Sequence, residues 1–190
     1  MIDNIIYYRS ISSNKGKDNH TMISKKIILI GDFSTGKTSL IRRFVDNQFS
    51  DAYLSTIGVK ISQKNIVLEE ETVRGLIWDI EGGTESKPLN RTYVIGAHGC
   101  IIVADITREE TISNIASYIE TLQAISPDVP FTLVLNKCDK VDQEKREMIY
   151  QHTLKKYQNF VQDLHLVSAK SGEGVEKMFT VIARRMLKKG

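Results

Sequence analysis

Two cysteines, Cys100 and Cys138, are all the thiol chemistry that the 190 residues contain. One lies beside apolar residues and the other inside a loop motif, so neither a disulfide framework nor a metal-ligand cluster is expected, and a reducing, cytosol-like compartment fits. Charge of one sign is also missing. The 26 basic and 23 acidic residues leave a formal net charge of +3, spread along the whole chain. That distribution argues against a nucleic-acid surface made from one basic block. No apolar run approaches the roughly 18 residues that span a bilayer, and no basic-then-apolar leader opens the chain. A soluble protein is expected, and 41% hydrophobic content supplies one sizeable core and therefore one domain.

Residues 1–24 begin with an apolar cluster, Ile2, Ile5, Ile6, Tyr7 and Tyr8, and then turn polar from Ser12 to Asn19. They read as a flexible extension; the alternative is that the cluster docks on a partner or on the domain itself. From Lys25 onward, short β-rich runs alternate with helical patterns. The runs are Ile27–Ile30, Leu76–Trp78, Ile101–Ala104, Phe131–Leu135 and Leu164–Val167. Continuous apolar runs of this length suit strands buried on both faces of a parallel sheet. Between them, Ile112, Ile115, Ile119 and Leu122 recur at helical spacing, as do Val175, Met178, Phe179, Ile182 and Met186. The alternation predicts an α/β fold over 25–190. Its doubly wound, mostly parallel sheet carries helices on both faces and takes its ligand at the carboxyl ends of the strands.

Gly31-Asp32-Phe33-Ser34-Thr35-Gly36-Lys37-Thr38 follows the first strand and opens an amphipathic segment carrying Leu40, Ile41, Phe44 and Val45. This is G-x-x-x-x-G-K-[ST] in its strand, loop, helix context. The glycines let the backbone curl so that N–H groups of Ser34, Thr35 and Gly36 face phosphate oxygens, and the helix N-terminus adds its positive dipole end. Lys37 would reach the β and γ phosphates, and the Thr38 hydroxyl would meet Mg²⁺. The loop alone does not name the base.

The strand Phe131–Leu135 runs into Asn136-Lys137-Cys138-Asp139. A carboxylate at Asp139 accepts two N–H bonds from guanine N1 and its 2-amino group, a pair that adenine does not present. The stem of Lys137 covers the base, and Asn136 ties this loop to the phosphate loop. Ser168-Ala169-Lys170 follows the last strand, where its backbone meets the guanine O6. GTP or GDP with Mg²⁺ is the expected ligand. A P-loop kinase would need an acceptor site and a lid, and the loop from Asn136 to Asp139 speaks against it.

With these motifs in order, the sequence resembles the Ras superfamily of small GTPases, and most closely its Rab branch, over roughly Lys25 to Leu187, and the resemblance implies a P-loop NTPase fold with a six-stranded sheet. Tyr53-Leu54-Ser55-Thr56-Ile57-Gly58-Val59 is similar to the Rab first switch, Leu76-Ile77-Trp78-Asp79 to the strand entering the second, and Gly96-Ala97-His98-Gly99 to the segment after it. The resemblance implies that Ser39 and Tyr53 join the nucleotide contacts. It further implies that Thr56 binds Mg²⁺ and the γ phosphate, that Asp79 holds Mg²⁺ through water, and that the Gly82 N–H meets the γ phosphate. Exchange factors and effectors would read the switch regions of a monomer, and vesicle traffic is the implied setting.

Four departures change what is expected. The family's D-T-A-G-Q reads Asp79-Ile80-Glu81-Gly82-Gly83, so Gly83 stands where a glutamine orients the attacking water, and hydrolysis should be slow at best. Phe33 and Ser34 occupy positions where the family is small or glycine, and the phenyl ring could crowd the γ phosphate and exclude an arginine finger. Glu81 or Glu85 is a poor substitute for the glutamine, because the γ phosphate repels a carboxylate. The effector surface is partly kept: Trp78 remains, while Ile61 and Lys60 stand where Phe and an acid are usual. Trp78 reads equally as a partner contact or as a sheet-edge aromatic. His98 and His165 read as structural. The sequence closes on Met186-Leu187-Lys188-Lys189-Gly190 without a cysteine to prenylate, and Met1-Ile2 does not fit N-myristoylation, so no stable membrane anchor is expected. Contact with membranes would then run through protein partners. A hydrolysis-deficient binding module that recruits or sequesters partners is the competing reading to a cycling switch.

Overall fold

A computed structural model describes residues 22–50, 56–69, 71–82, 90–160 and 163–188. Tyr53, Gly83, Glu85 and the N-terminal cluster therefore lie outside the described residues. Strands β1 (Ile23–Ile30), β2 (Val59–Val67), β3 (Thr72–Ile80), β4 (Gly99–Asp105), β5 (Phe131–Asn136) and β6 (Leu164–Leu166) form a sheet of order β2-β3-β1-β4-β5-β6. All neighbours are parallel except β2 and β3, which pair antiparallel with Ile61 opposite Trp78. The doubly wound α/β fold read from the apolar runs, with the six strands that the resemblance implies, is the fold observed. β1 begins at Ile23, so Ile23 and Ser24 belong to the sheet.

Side chains alternate across each strand, and that alternation divides the core in two. On one face, Ile27 and Leu29 of β1 and Val103 of β4 meet Phe44 of α1 (Lys37–Asp46) and Phe179 of α6 (Val175–Leu187). The two phenyl rings stack with centroids 3.8 Å apart. The apolar stripe of α6 is buried along its length, as its spacing requires. On the other face, Ile28, Ile30 and Ile102 meet Ile112 of α3 (Glu109–Ser113), Ile119 and Leu122 of α4 (Ile115–Ile125) and Tyr157 of α5 (Gln143–Tyr157). The Tyr157 hydroxyl donates to the Ile112 carbonyl at 2.8 Å.

Trp78 is half-buried in β3, with β2 outside it, so it is not an edge aromatic. Its ring carries the Lys26 ammonium 3.9 Å from the centroid. His98 is structural in the sense expected: its Nδ1 accepts from the Lys26 N–H at 3.1 Å, and its own N–H donates to the Lys26 carbonyl at 2.8 Å. A short helix, α2 (Arg91–Val94), precedes β4. The carboxyl ends of β1, β4 and β5 point the same way, which brings the phosphate loop, Asp105 and Asn136 to one rim.

Candidate functional site

The rim holds a cleft of about 380 Å³. Its walls include Ser34, Gly36, Lys37, Thr38 and Ser39 from the β1–α1 loop, and Asn136, Lys137 and Asp139 after β5. Thr56, Gly82, Ala169 and Lys170 complete the predicted set in the wall. Thr35 and Ser168 lie fully buried beneath it. Phe33, Phe49, Ser50 and Lys140 also line the cleft; of these, only Phe33 was marked by the sequence motifs.

The phosphate loop curls because its backbone visits the left-handed region. Gly36 has φ 93°, and a Cβ there would meet Asn136 Nδ2 at 2.3 Å. Ser34 adopts φ 64° where the resemblance expects glycine, a conformation that costs a non-glycine residue about 1 kcal/mol. The loop is braced from several sides. Lys137 Nζ donates to the Ser34 carbonyl at 2.8 Å and Arg108 Nη2 to the Phe33 carbonyl at 2.8 Å. Asp32 accepts from the Tyr118 hydroxyl at 2.8 Å and from Asn114 Nδ2 at 2.9 Å.

Lys37 is buried with its ammonium on the carbonyls of Gly31 (2.9 Å) and Asp32 (2.8 Å). Burial lowers its pKa to about 8, against the opposing pull of Asp79 and Asp32. A buried cation held by two neutral carbonyls is an anion site by its own electrostatics.

Three oxygen donors converge beside it. The Thr38 hydroxyl donates to Asp79 Oδ2 at 2.7 Å, the Thr56 hydroxyl to the same oxygen at 3.1 Å, and the two hydroxyls lie 2.8 Å apart. Asp79 is buried, which raises its pKa, and its Oδ1 has no hydrogen-bond partner. An orphaned carboxylate oxygen among hydroxyls is a donor set that fits a hard divalent cation such as Mg²⁺.

At the far end of the cleft the loops interlock. Asn136 Nδ2 donates to the Thr35 carbonyl at 2.9 Å, and its Oδ1 accepts from the Ala169 N–H at 3.2 Å. Lys137 sits at φ 65° with its ammonium 2.6 Å from Asp105. Burial pushes the Asp105 pKa up, but hydrogen bonds from Lys137 and Thr107 outweigh it and hold the carboxyl below its usual range. Ser168 Oγ donates to Asp139 Oδ1 at 2.6 Å, and Asp139 lines this end of the wall.

The segments that resemble the two switches meet at Gly58 and Glu81. The Glu81 N–H donates to the Gly58 carbonyl at 2.9 Å, and the Gly58 N–H donates to Glu81 Oε2 at 3.1 Å. Gly82 lies against the phosphate loop so closely that a Cβ would meet Phe33 Cα at 2.6 Å.

Fold and cleft together define a P-loop GTPase. Comparison with known proteins gives the family directly: residues 26–188 match the Ras family. Ras-related protein Rab-1 of Theileria annulata is 35% identical over 169 residues, 85% of this chain and 73% of that protein. GTP-binding protein ypt1 of Schizosaccharomyces pombe is 32% identical over 166 residues, 85% and 79% respectively. Ras-related protein Rab-13 of Rattus norvegicus is 33% identical over 171 residues, 86% and 80%. The chain belongs to the Ras family of small GTPases and is Rab-like, a guanine-nucleotide-binding switch by family. Among the described residues, no helix is long and apolar enough to cross a membrane.

Proposed function

We propose that the cleft holds GTP or GDP with Mg²⁺, and that the protein works as a switch whose off step is slow. The observation that carries this is one cleft with two chemically distinct ends. Lys37, Thr38, Thr56 and Asp79 gather at one end, and Asp139, Ala169 and Lys170 at the other. Amides of the 34–36 loop and the Lys37 ammonium take the phosphates, the ammonium with the donor left beside its bonds to the Gly31 and Asp32 carbonyls. Mg²⁺, when bound, neutralises charge on the β and γ phosphates. Thr38 and Thr56 offer hydroxyl oxygens to it, and Asp79 supplies the carboxylate. Asp139 discriminates guanine by accepting from N1 and the 2-amino group. Tyr53 and Ser39 extend the nucleotide contacts by family likeness.

Slow hydrolysis rests on what surrounds the γ phosphate. Gly83 offers no side chain to orient a water, and the Glu81 carboxylate accepts from the Gly58 N–H. Positioning is most of what such a site contributes to phosphoryl transfer, so its loss acts on rate rather than on binding. The reading of a GTP-bound module that recruits or sequesters partners without cycling draws support from Phe33, which lines the cleft with 43% of its surface exposed. A ring there occupies the approach that an arginine finger from an activating protein needs. A role in vesicle traffic, served by effectors and an exchange factor at the switch segments, follows from the Rab likeness.

The test is displacement of ribose-labelled fluorescent GTP from the Mg²⁺-loaded protein. Unlabelled GTP should displace it and ATP at hundredfold excess should not, while Asp139→Asn should shift preference toward xanthine nucleotides. Equal competition by ATP would remove the guanine assignment.

A further inference from the structure

Arg43 stands in the last turn of α1, on the same helix that opens with Lys37 and Thr38, yet its guanidinium reaches across to the loop after β6. Nε donates to the Ala169 carbonyl at 2.8 Å and Nη2 to the Lys170 carbonyl at 2.6 Å. Nη1 donates to the carbonyl and side-chain oxygens of Asn47, each at 3.3 Å. One rigid fork thus clamps two successive carbonyls of a loop more than 120 residues away in sequence.

The consequence comes from peptide geometry. No peptide bond in the described chain is cis, and in a planar trans peptide the N–H points opposite to the preceding carbonyl. Pulling the Ala169 carbonyl onto Arg43 therefore turns the Lys170 N–H the other way, away from Arg43, in a loop whose Ala169 and Lys170 line the cleft. The other amides of the loop are already committed. The Ser168 N–H donates to the Glu173 carbonyl, the Ala169 N–H to Asn136 Oδ1, and the Ser171 N–H to Ser168 Oγ. Among the described residues, the Lys170 N–H has no protein acceptor. It is a donor left over beside Asp139, the group assigned to the N1 and 2-amino edge of guanine.

We infer that Arg43 is a positioning residue for base discrimination: by clamping the Ala169 and Lys170 carbonyls it aims the Lys170 N–H at the 6-oxo group of a bound guanine. The inference rests on the guanine reading of this cleft. It separates two roles on one helix, phosphate and metal contacts at the N-terminus of α1 and base selection through its C-terminal turn.

The experiment compares GDP with 6-thioguanosine 5′-diphosphate, which keeps the N1–H and 2-amino donors but replaces the 6-oxo acceptor with a larger sulfur that accepts more weakly. Each displaces ribose-labelled fluorescent GDP from the full chain with Mg²⁺, in the wild type, Arg43→Ala and Arg43→Lys. The wild type should prefer GDP. Arg43→Ala should shrink that preference about fivefold, equivalent to about 1 kcal/mol, by weakening GDP more than the analogue. Arg43→Lys, with one cationic donor group and no fork, should recover part of it. Equal weakening of both ligands in Arg43→Ala would mean a merely structural arginine, and an unchanged preference would overturn the positioning role; if Arg43→Ala does not fold, an unaltered preference in Arg43→Lys does the same. A wild type that binds the two ligands alike would overturn the 6-oxo contact, and displacement by ADP as effective as by GDP would overturn the guanine reading itself.

Discussion

Asn136→Ala should cost the domain more than any other truncation in the cleft wall. The side chain is 1% exposed and makes two bonds, one to the Thr35 carbonyl and one from the Ala169 N–H. Both partners are themselves buried, Thr35 at 0% and Ala169 at 3%, so water does not readily replace the lost amide. Each stranded group costs about 1–3 kcal/mol, and with some loop relaxation the pair should cost about 2–4 kcal/mol in all. For a domain of this size that is a fall in Tm on the order of 10 °C, measured by thermal unfolding of the nucleotide-free protein. Asn136→Asp should be no better, because it keeps the acceptor for Ala169 but sets a carboxylate against the Thr35 carbonyl. A fall of less than about 2 °C in Asn136→Ala would refute the reasoning, since the loops would then hold their places without the bridge.

Glu81→Ala removes the carboxylate that accepts from the Gly58 N–H; a part-exposed bond to a charged acceptor is worth about 1 kcal/mol, so exchange of the Gly58 amide with deuterium should quicken about fivefold to tenfold. Unchanged exchange would mean that the switch segments are joined by other contacts. His165 is held below its usual pKa of 6.5 by burial first, with Asp163 opposing and Lys177 and Arg185 assisting. The unfolded chain therefore binds more protons below pH 6.5, so this contribution to stability is present above 6.5 and is lost as pH falls through that window. Urea unfolding of His165→Gln should show a shallower loss between pH 6.5 and 5 than the wild type; an equal slope would assign the acid sensitivity to other groups.

What the sequence disclosed follows from how each element is buried. β1, β4 and β5 are covered on both faces, so they are written as unbroken apolar runs and were legible. β2 was not named as a strand, because at the sheet edge its Lys60, Ser62 and Lys64 stay partly exposed, Gln63 is exposed, and all four dilute the pattern. α5 buries only Thr153 and Tyr157 and carries almost no apolar stripe. The stripe Ile112, Ile115, Ile119 and Leu122 does face the core, but it crosses a break at Asn114 between α3 and α4 that spacing alone does not show.

The cleft was legible wherever its chemistry is contiguous, as in Gly31 to Thr38, Asn136 to Asp139 and Ser168 to Lys170. It was not legible where a contact joins distant positions. Arg43 to Ala169, Lys137 to Asp105 and Gly58 to Glu81 span 126, 32 and 23 residues, and no local pattern marks them. Glu81 stood out as a departure from the family, but its partner became visible only with β2 and β3 in register.

The central claim is a guanine-nucleotide switch whose timer is impaired by the residue after Gly82. Single-turnover hydrolysis of GTP loaded on the protein with Mg²⁺, beside the same assay on Gly83→Gln, tests it most directly. The account predicts hydrolysis near absent in the wild type and accelerated by the glutamine, with Phe33→Gly needed as well if the ring blocks the site independently. Ready hydrolysis in the wild type would contradict it, because another group would then be orienting the water.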